Sequence, residues 1–277
     1  MANFERAYYE QTELWNRDFL AIPAERERII QTIALIPTDV LSILDVGCGN
    51  GAFLNSLPAM YQAVGLDSSH EALKYVKTKA IQGDIASLPF ESASFDLVTC
   101  LEVLEHLPST VFERALSEIE RVSRKYIIIS VPNSEPLDYS LVICPSCRCW
   151  YNPHRHVRSF TPERLRTLFS SKFKLSVLKE IGPLEPYPTY NRFLYAAYRL
   201  WRSAPPPSTA VCPQCGYQTH DSTIASTPEQ QGFLRYMLKL IKLPAKAIWR
   251  PRWSHRWLLA LYERNNFEEL TKDGAIR

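Results

Sequence analysis

An α/β fold built on a doubly wound, Rossmann-like, mostly parallel sheet is predicted by three features of the stretch from Val40 to Val131. Short β-branched runs alternate with helix-like segments, the runs lack polar and apolar alternation, and the first leads straight into a glycine-rich turn. Leu41 to Val46, Ala63 to Leu66, Phe95 to Cys100 and Lys125 to Val131 read as strands. Tyr126-Ile127-Ile128-Ile129 is continuous rather than alternating, as in a central strand covered on both faces. The crossovers read as helices over Asn50 to Leu57, Glu71 to Lys77 and Ser109 to Ser123. The last carries Phe112, Leu116, Ile119 and Val122 on one stripe. Upstream, Ala24 to Leu35 reads as a helix, and the aromatic segment Ala7 to Trp15 as a piece folded over something. Downstream, Thr161-Pro162 starts a helix running to about Ser170, because Thr caps and Pro fits the first turn. A late strand follows from Phe173 to Ile181, then a helix from Tyr190 to Trp201 and an extended Pro205-Pro206-Pro207 linker. Four regions are expected: a helical cap over 1–39, the sheet domain over 40–182 with an insertion from about 144, a linker over 183–227, and a basic helical tail over 228–277.

The 277 residues, 46% hydrophobic and 22% charged with a formal net charge of +3, fit a folded globular chain rather than bulk disorder. No apolar run approaches the ~18 residues of a membrane span, and Met1 to Glu10 has no signal-peptide character, so a cytoplasmic location is expected. In that compartment seven cysteines are metal ligands or small apolar groups rather than a disulfide scaffold.

The turn itself is Asp45-Val46-Gly47-Cys48-Gly49-Asn50-Gly51. Its glycines let the backbone turn sharply and approach a ligand. Gly47, Gly49 and Ala52 also fit the dinucleotide fingerprint, so the turn alone does not choose a cofactor. Asp45 chooses: at the carboxyl end of the strand it repels a pyrophosphate and suits a ligand with an amine and a sulfonium. Asp67, some twenty residues on, can accept from both ribose hydroxyls, and Asp84 after the third strand from an adenine amino group. Three carboxylates at neighbouring strand ends describe an adenosyl nucleoside with a cationic tail.

Asp45-x-Gly47-x-Gly49-x-Gly51, Gly65-Leu66-Asp67, Gly83-Asp84-Ile85, Phe95-Asp96-Leu97-Val98 and Glu102-Val103-Leu104-Glu105-His106 stand in an order and spacing that resemble the class I S-adenosylmethionine-dependent methyltransferases, particularly those acting on small molecules, lipids and some nucleic acids. The resemblance covers about Ile43 to Asn133, and more weakly extends to Ile181. It implies S-adenosylmethionine as donor and a binding set of Asp45, Gly47, Cys48, Gly49, Asn50, Gly51, Asp67, Ser68, Asp84, Ile85 and Leu101. Asp45 and the glycines would hold the methionine portion, Asp67 the ribose, Asp84 and Ile85 the adenine. The segment from Leu101 would face the methyl. His106 would then lie where a base or an orienting group is useful, with Glu102 and Glu105 as alternatives for polar acceptor groups. His156, in a His-x-x-x-Phe-Thr pattern that relatives share, is the second catalytic candidate, alongside a purely structural hydrogen bond. Cys48 and Cys100 read as packing residues. The seventh strand usual in this fold has no evident place in the late sequence.

Cys144-Pro-Ser-Cys147 and Cys212-Pro-Gln-Cys215 are paired C-x-x-C turns 64 residues apart. Two such turns make a closed tetrahedral Cys₄ zinc site, structural because no position stays open. Cys149, His154 and His156 lie close enough in sequence to substitute as ligands. From Gln230 to Tyr262 there is no acid and seven Lys and Arg, leaving −4 on the remainder. With Trp249, Trp253 and Trp257 this suggests helices packed on the core, a peripheral membrane anchor, or less favourably a nucleic-acid surface. The expected reaction is methylation of a small-molecule, saccharide or lipid-linked acceptor at oxygen. RNA methylation and a non-catalytic nucleoside-binding zinc scaffold are the alternatives.

Overall fold

The computed structural model describes residues 3–138, 141–169, 172–189, 206–218 and 250–265. Its helices are α1 (Asn3–Tyr9), α2 (Thr12–Trp15), α3 (Pro23–Ile33), α4 (His70–Leu73), α5 (Ser109–Val122) and α6 (Pro162–Arg166). Its strands are β1 (Ser42–Val46), β2 (Gln62–Asp67), β3 (Lys79–Gln82), β4 (Phe95–Leu101), β5 (Ser123–Pro132), β6 (Val142–Ile143), β7 (Trp150–Tyr151), β8 (Phe173–Thr189) and β9 (Arg250–Arg264). Two compact units emerge. One comprises residues 9–135, 157–183 and 255–277, the other residues 1–8, 136–156 and 184–254.

The larger unit contains the seven-stranded sheet, ordered β3-β2-β1-β4-β5-β9-β8. β1 to β5 are mutually parallel, as the βαβ rhythm requires, and β9 runs antiparallel to β5, with Ile128 opposite Leu261. Both faces are covered. Val98, Ile127, Ile129, Leu258 and Ala260 pack with Phe112, Leu116 and Ile119 of α5 on one side. Ile43, Leu97, Ile128, Leu259 and Leu261 pack with Ile29 of α3 on the other. The sheet's register brings Asp45 opposite Gly65 and Thr99, and Asp67 opposite Gln82, so the strands that carry the acids end together.

Four expectations are corrected. Asn50 to Leu57 is not a helix but a loop closing in a 3-10 turn at Leu54–Ser56, because Gly51 takes a left-handed φ of +77° and Pro58 bars helical geometry at Leu57. The helix after Thr161 stops at Arg166, and the strand from Phe173 runs on to Thr189. The tail is not helical where it is described. Its residues 250–264 are β9, which supplies the seventh strand. Trp257-Leu258-Leu259-Ala260-Leu261-Tyr262 is buried throughout, the mark of a strand covered on both faces rather than of an amphipathic helix. Trp253 is exposed and Trp257 is core. The helix expected from Tyr190 to Trp201 and the basic run from Gln230 to Trp249 lie outside the described residues.

Asp96 fastens β4 to the start of β1. Its carboxylate accepts from the Leu41 and Ser42 amides and the Ser42 hydroxyl, all at 3.1 Å, and pairs with Arg124. Burial opposes the charge, but Arg124 and the two amides outweigh it and hold the carboxyl at about 2. A depressed value contributes stability above the ordinary carboxylate range that is lost as pH falls through about 2. That contribution is on the order of 2 kcal/mol. Asp96→Asn is therefore expected to lower the melting temperature at pH 7 by about 5 °C in calorimetry, and to narrow the gap to wild type near pH 2.

Candidate active site

At the end of β1 the chain reverses over three left-handed glycines, Gly47, Gly49 and Gly51, with φ of +74°, +54° and +77°. The Gly47 and Cys48 amides both donate to the Leu66 carbonyl, at 2.7 and 3.1 Å, and the Gly49 amide donates to Asp67 Oδ2 at 2.8 Å. A Cβ on Gly47 would sit 2.4 Å from Val103 Cγ2, and one on Gly49 2.9 Å from Trp15 Cζ3. Gly47→Ala combines that clash with a backbone that L residues avoid. We expect a loss of about 3 kcal/mol in urea denaturation.

Asp45 is 2% exposed, and its Oδ1 accepts from Thr99 Oγ1 at 2.6 Å. Burial pushes its carboxyl up to about 7, with the neighbouring Asp67 adding to the effect and Thr99 and Arg28 opposing it. Asp67 is also raised by burial, although Oδ1 accepts the Ser69 amide and Oδ2 that of Gly49. The Ser68 amide also reaches this carboxylate, which leaves part of its accepting capacity for a ligand hydroxyl. Asp84 is exposed, and its Oδ1 caps its own turn by accepting from Ala86. Ser68 and Ile85 are half-buried beside these acids, Ile85 against the core.

Leu101 ends β4, opposite Ser130, and Glu102 follows with a left-handed φ of +57°, its carboxylate taking the Ser130 hydroxyl. Glu105 is 1% exposed, and among the described residues neither of its oxygens has a hydrogen-bond partner. Burial and the charge of Glu102 raise it well above the carboxylate range. His106 Nε2 lies 3.9 Å from Glu105 Oε1, and the His106 ring meets Tyr9 edge-on at 6.1 Å. Arg28 on α3 feels the charges of Glu102 and Glu105. This end of the sheet thus concentrates buried carboxyls with raised affinity for protons, the electrostatic pattern of a site prepared for a cation. Cys48 and Cys100 are buried, their thiols pushed up by desolvation, in keeping with packing roles.

The aromatic N-terminal segment covers the glycine turn. Trp15 Nε1 and Ser69 Oγ both donate to the Tyr9 carbonyl, and Glu10 accepts from the His70 and Glu71 amides at the start of α4. Asn50 Nδ2 donates to the carbonyls of Trp15 and Arg17, at 2.9 and 3.1 Å, so this predicted donor ligand anchors the covering segment. Thr99, Glu10 and Trp15 were not foreseen as parts of the site. The density of aromatics before α3 was their only trace in the sequence.

In the smaller unit Cys144, Cys147, Cys212 and Cys215 converge, their sulfurs all within 4.8 Å of one another. The Cys144–Cys215 and Cys147–Cys212 separations are both 3.6 Å. That is close to the ~3.8 Å edge of a zinc tetrathiolate with ~2.3 Å bonds. The two turns repeat each other. Cys144 and Cys212 donate their amides to the carbonyls of Cys149 and Tyr217, both at 2.9 Å, and the residues after the second cysteines, Arg148 and Gly216, both take positive φ. Cys149 Sγ lies 3.3 Å from Cys212 Sγ. His156 belongs to this unit, its ring 6.0 Å from that of His154.

A family model described as a methyltransferase domain matches residues 44–129. An uncharacterised protein of Methanocaldococcus jannaschii is 40% identical over 34% of this chain and 42% of its own length. A ubiquinone biosynthesis O-methyltransferase of Albidiferax ferrireducens is 29% identical over 39% of this chain and 48% of its own. A tRNA (carboxymethyluridine(34)-5-O)-methyltransferase of Arabidopsis thaliana is 32% identical over 36% and 26%. The chain therefore spans about half the length of the first two, and less of the third. Among solved structures, a chain from the complex of the Haloferax volcanii Trm112 methyltransferase activator with a methyltransferase superposes with a TM-score of 0.51. It is 15% identical over 95% of this chain and 98% of that one, a likeness of fold. Sheet order, glycine turn and family match agree that residues 44–129 form a methyltransferase domain of the class I S-adenosylmethionine-dependent kind.

Proposed function

We propose that the protein transfers a methyl group from S-adenosylmethionine to a hydroxyl of a small-molecule, saccharide or lipid-linked acceptor. The observation that carries this reading is Asp45. A fully desolvated carboxyl at the mouth of a glycine turn is costly to ionise alone, and a cation recovers that cost. Asp67, with accepting capacity left on its carboxylate, suits the ribose. The glycine turn, where a Cβ would collide with Val103 or Trp15, suits close backbone approach. When bound, the sulfonium donor supplies an already activated methyl. The protein's part is then to hold and orient, and to keep water out. Trp15 and Tyr9 cover the turn, and Glu105 and His106 stand past β4 to orient an acceptor hydroxyl or take its proton.

The paired knuckles fit a structural zinc ion, with Cys144, Cys147, Cys212 and Cys215 as ligands and no position left for chemistry. Isotopically labelled donor incubated with fractionated cell extract tests the main reading. Label in small molecules or lipids supports it, label in RNA redirects it to the second acceptor class, and no label anywhere, with donor bound, leaves a non-catalytic scaffold.

A further inference from the structure

A second cleft, of about 770 Å³, opens on the α3 side of the sheet. It is walled by α3 (Glu27, Gln31), by the Glu180–Gly182 stretch of β8 and by His255 of β9. Its volume suits a small molecule. The polar groups here are oriented. His255 Nδ1 lies 2.8 Å from the Gly182 carbonyl oxygen. A carbonyl can only accept, so Nδ1 donates, and in the neutral ring Nε2 is an acceptor. Glu180 Oε2 accepts from Asn133 Nδ2 at 3.1 Å, and Glu27 Oε1 accepts from Gln31 Nε2 at 2.8 Å, so among the described residues each carboxylate keeps an uncommitted oxygen. Asn133, 1% exposed, directly follows β5, which ties Glu180 to the carboxyl edge of the sheet. The cleft wall also shares its helix with the donor crevice: Arg28, next to Glu27 on α3, lies in the field of Glu102 and Glu105. Acceptor atoms outnumber donors in this wall, and Ile181 supplies an apolar flank.

We propose that this cleft binds the methyl acceptor and that the acceptor presents a neutral, hydroxyl-rich ring of the saccharide class. Its hydroxyls donate to Glu27, Glu180 and His255, and its C–H face rests on Ile181. Lys179 adds one ammonium to the wall, so Glu27 and Glu180 leave it net negative, and a phosphorylated or carboxylated ring is disfavoured. The inference rests on the methyltransferase reading and narrows its substrate.

The test is calorimetric titration of the full chain, saturated with S-adenosylhomocysteine, against three probes: methyl glycosides of neutral hexoses and 6-deoxyhexoses, the matching sugar phosphates, and choline. At least one neutral glycoside should bind. Its affinity should fall about tenfold in Glu27→Gln and in His255→Phe, one charged or oriented hydrogen bond each. S-adenosylhomocysteine affinity should change less than about twofold in both variants. Glu27 is exposed on α3, so Glu27→Gln remains informative if His255→Phe fails to fold. Absence of glycoside binding, binding unaltered by Glu27→Gln, or preferential binding of the phosphates or of choline would overturn the proposal. Failure of the wild type to bind S-adenosylhomocysteine would instead strike the methyltransferase reading.

Discussion

Asp45→Asn is expected to weaken S-adenosylmethionine and S-adenosylhomocysteine binding by about a hundredfold at pH 8, and at the same time to make the empty protein harder to unfold. The variant keeps an oxygen for Thr99 but removes the buried charge. In the unfolded chain this carboxyl ionises near its ordinary 3.8, in the folded one near 7. Between those values the unfolded state has already released a proton that the native state retains, so stability falls as pH rises. The total is on the order of 4 kcal/mol above pH 7. Calorimetry from pH 5 to 9 should show the wild type losing stability where Asp45→Asn does not. Binding has the opposite slope. The ionised carboxylate is the form that holds a cation, so wild-type affinity should drop about tenfold per unit below pH 7, and Asp45→Asn should flatten that dependence. A variant with unchanged donor affinity and an unchanged stability profile would remove Asp45 from the centre of the site.

Cys212→Ser is expected to abolish the zinc content of the purified protein and to open the smaller unit. Wild type should carry about one zinc per chain. Cys212 stands at the crossing of the cluster, 3.6 Å from Cys147 and 3.3 Å from Cys149. Apparent structural-zinc free energies of roughly 10 kcal/mol or more exceed what Cys144, Tyr151, Ala210 and Cys212 can contribute as a core by themselves. Limited proteolysis should then cut within 141–156 and 206–218, while wild type resists until a chelator is added. Cys149→Ser should retain the zinc, since four other thiols complete the shell. Loss of metal in Cys149→Ser with retention in Cys212→Ser would reassign the ligands.

The gathering of strand-end acids at one edge of the sheet is legible in the residues because it depends on local geometry. A parallel strand followed by alternating glycines places Asp45 at the strand's carboxyl end, and Asp67 and Asp84 repeat that placement one and two strands along. The thiol turns are equally local, and only their meeting across 64 residues required the tertiary structure. What was not legible is set by distant packing. Nothing near Thr99 in sequence marks it as the partner of Asp45, which is decided by the pairing of β1 with β4. Trp15 over Gly49 and Asn50 under Arg17 depend on how the first residues return to the sheet. The basic, Trp-bearing tail reads as amphipathic helix, yet burial of Trp257 to Tyr262 on both faces makes its described part a strand.

The position of β9 also has a consequence for synthesis. Ile128 must wait for Leu261, 133 residues later, before its strand has a neighbour on that side. While the ribosome delivers the intervening chain, β5 presents an unshielded hydrophobic margin open to wrong partners. Both thiol turns have emerged by then. The cysteines of the smaller unit can converge while the nascent sheet still lacks its penultimate strand, and that strand, once released, has only a single vacant slot to fill.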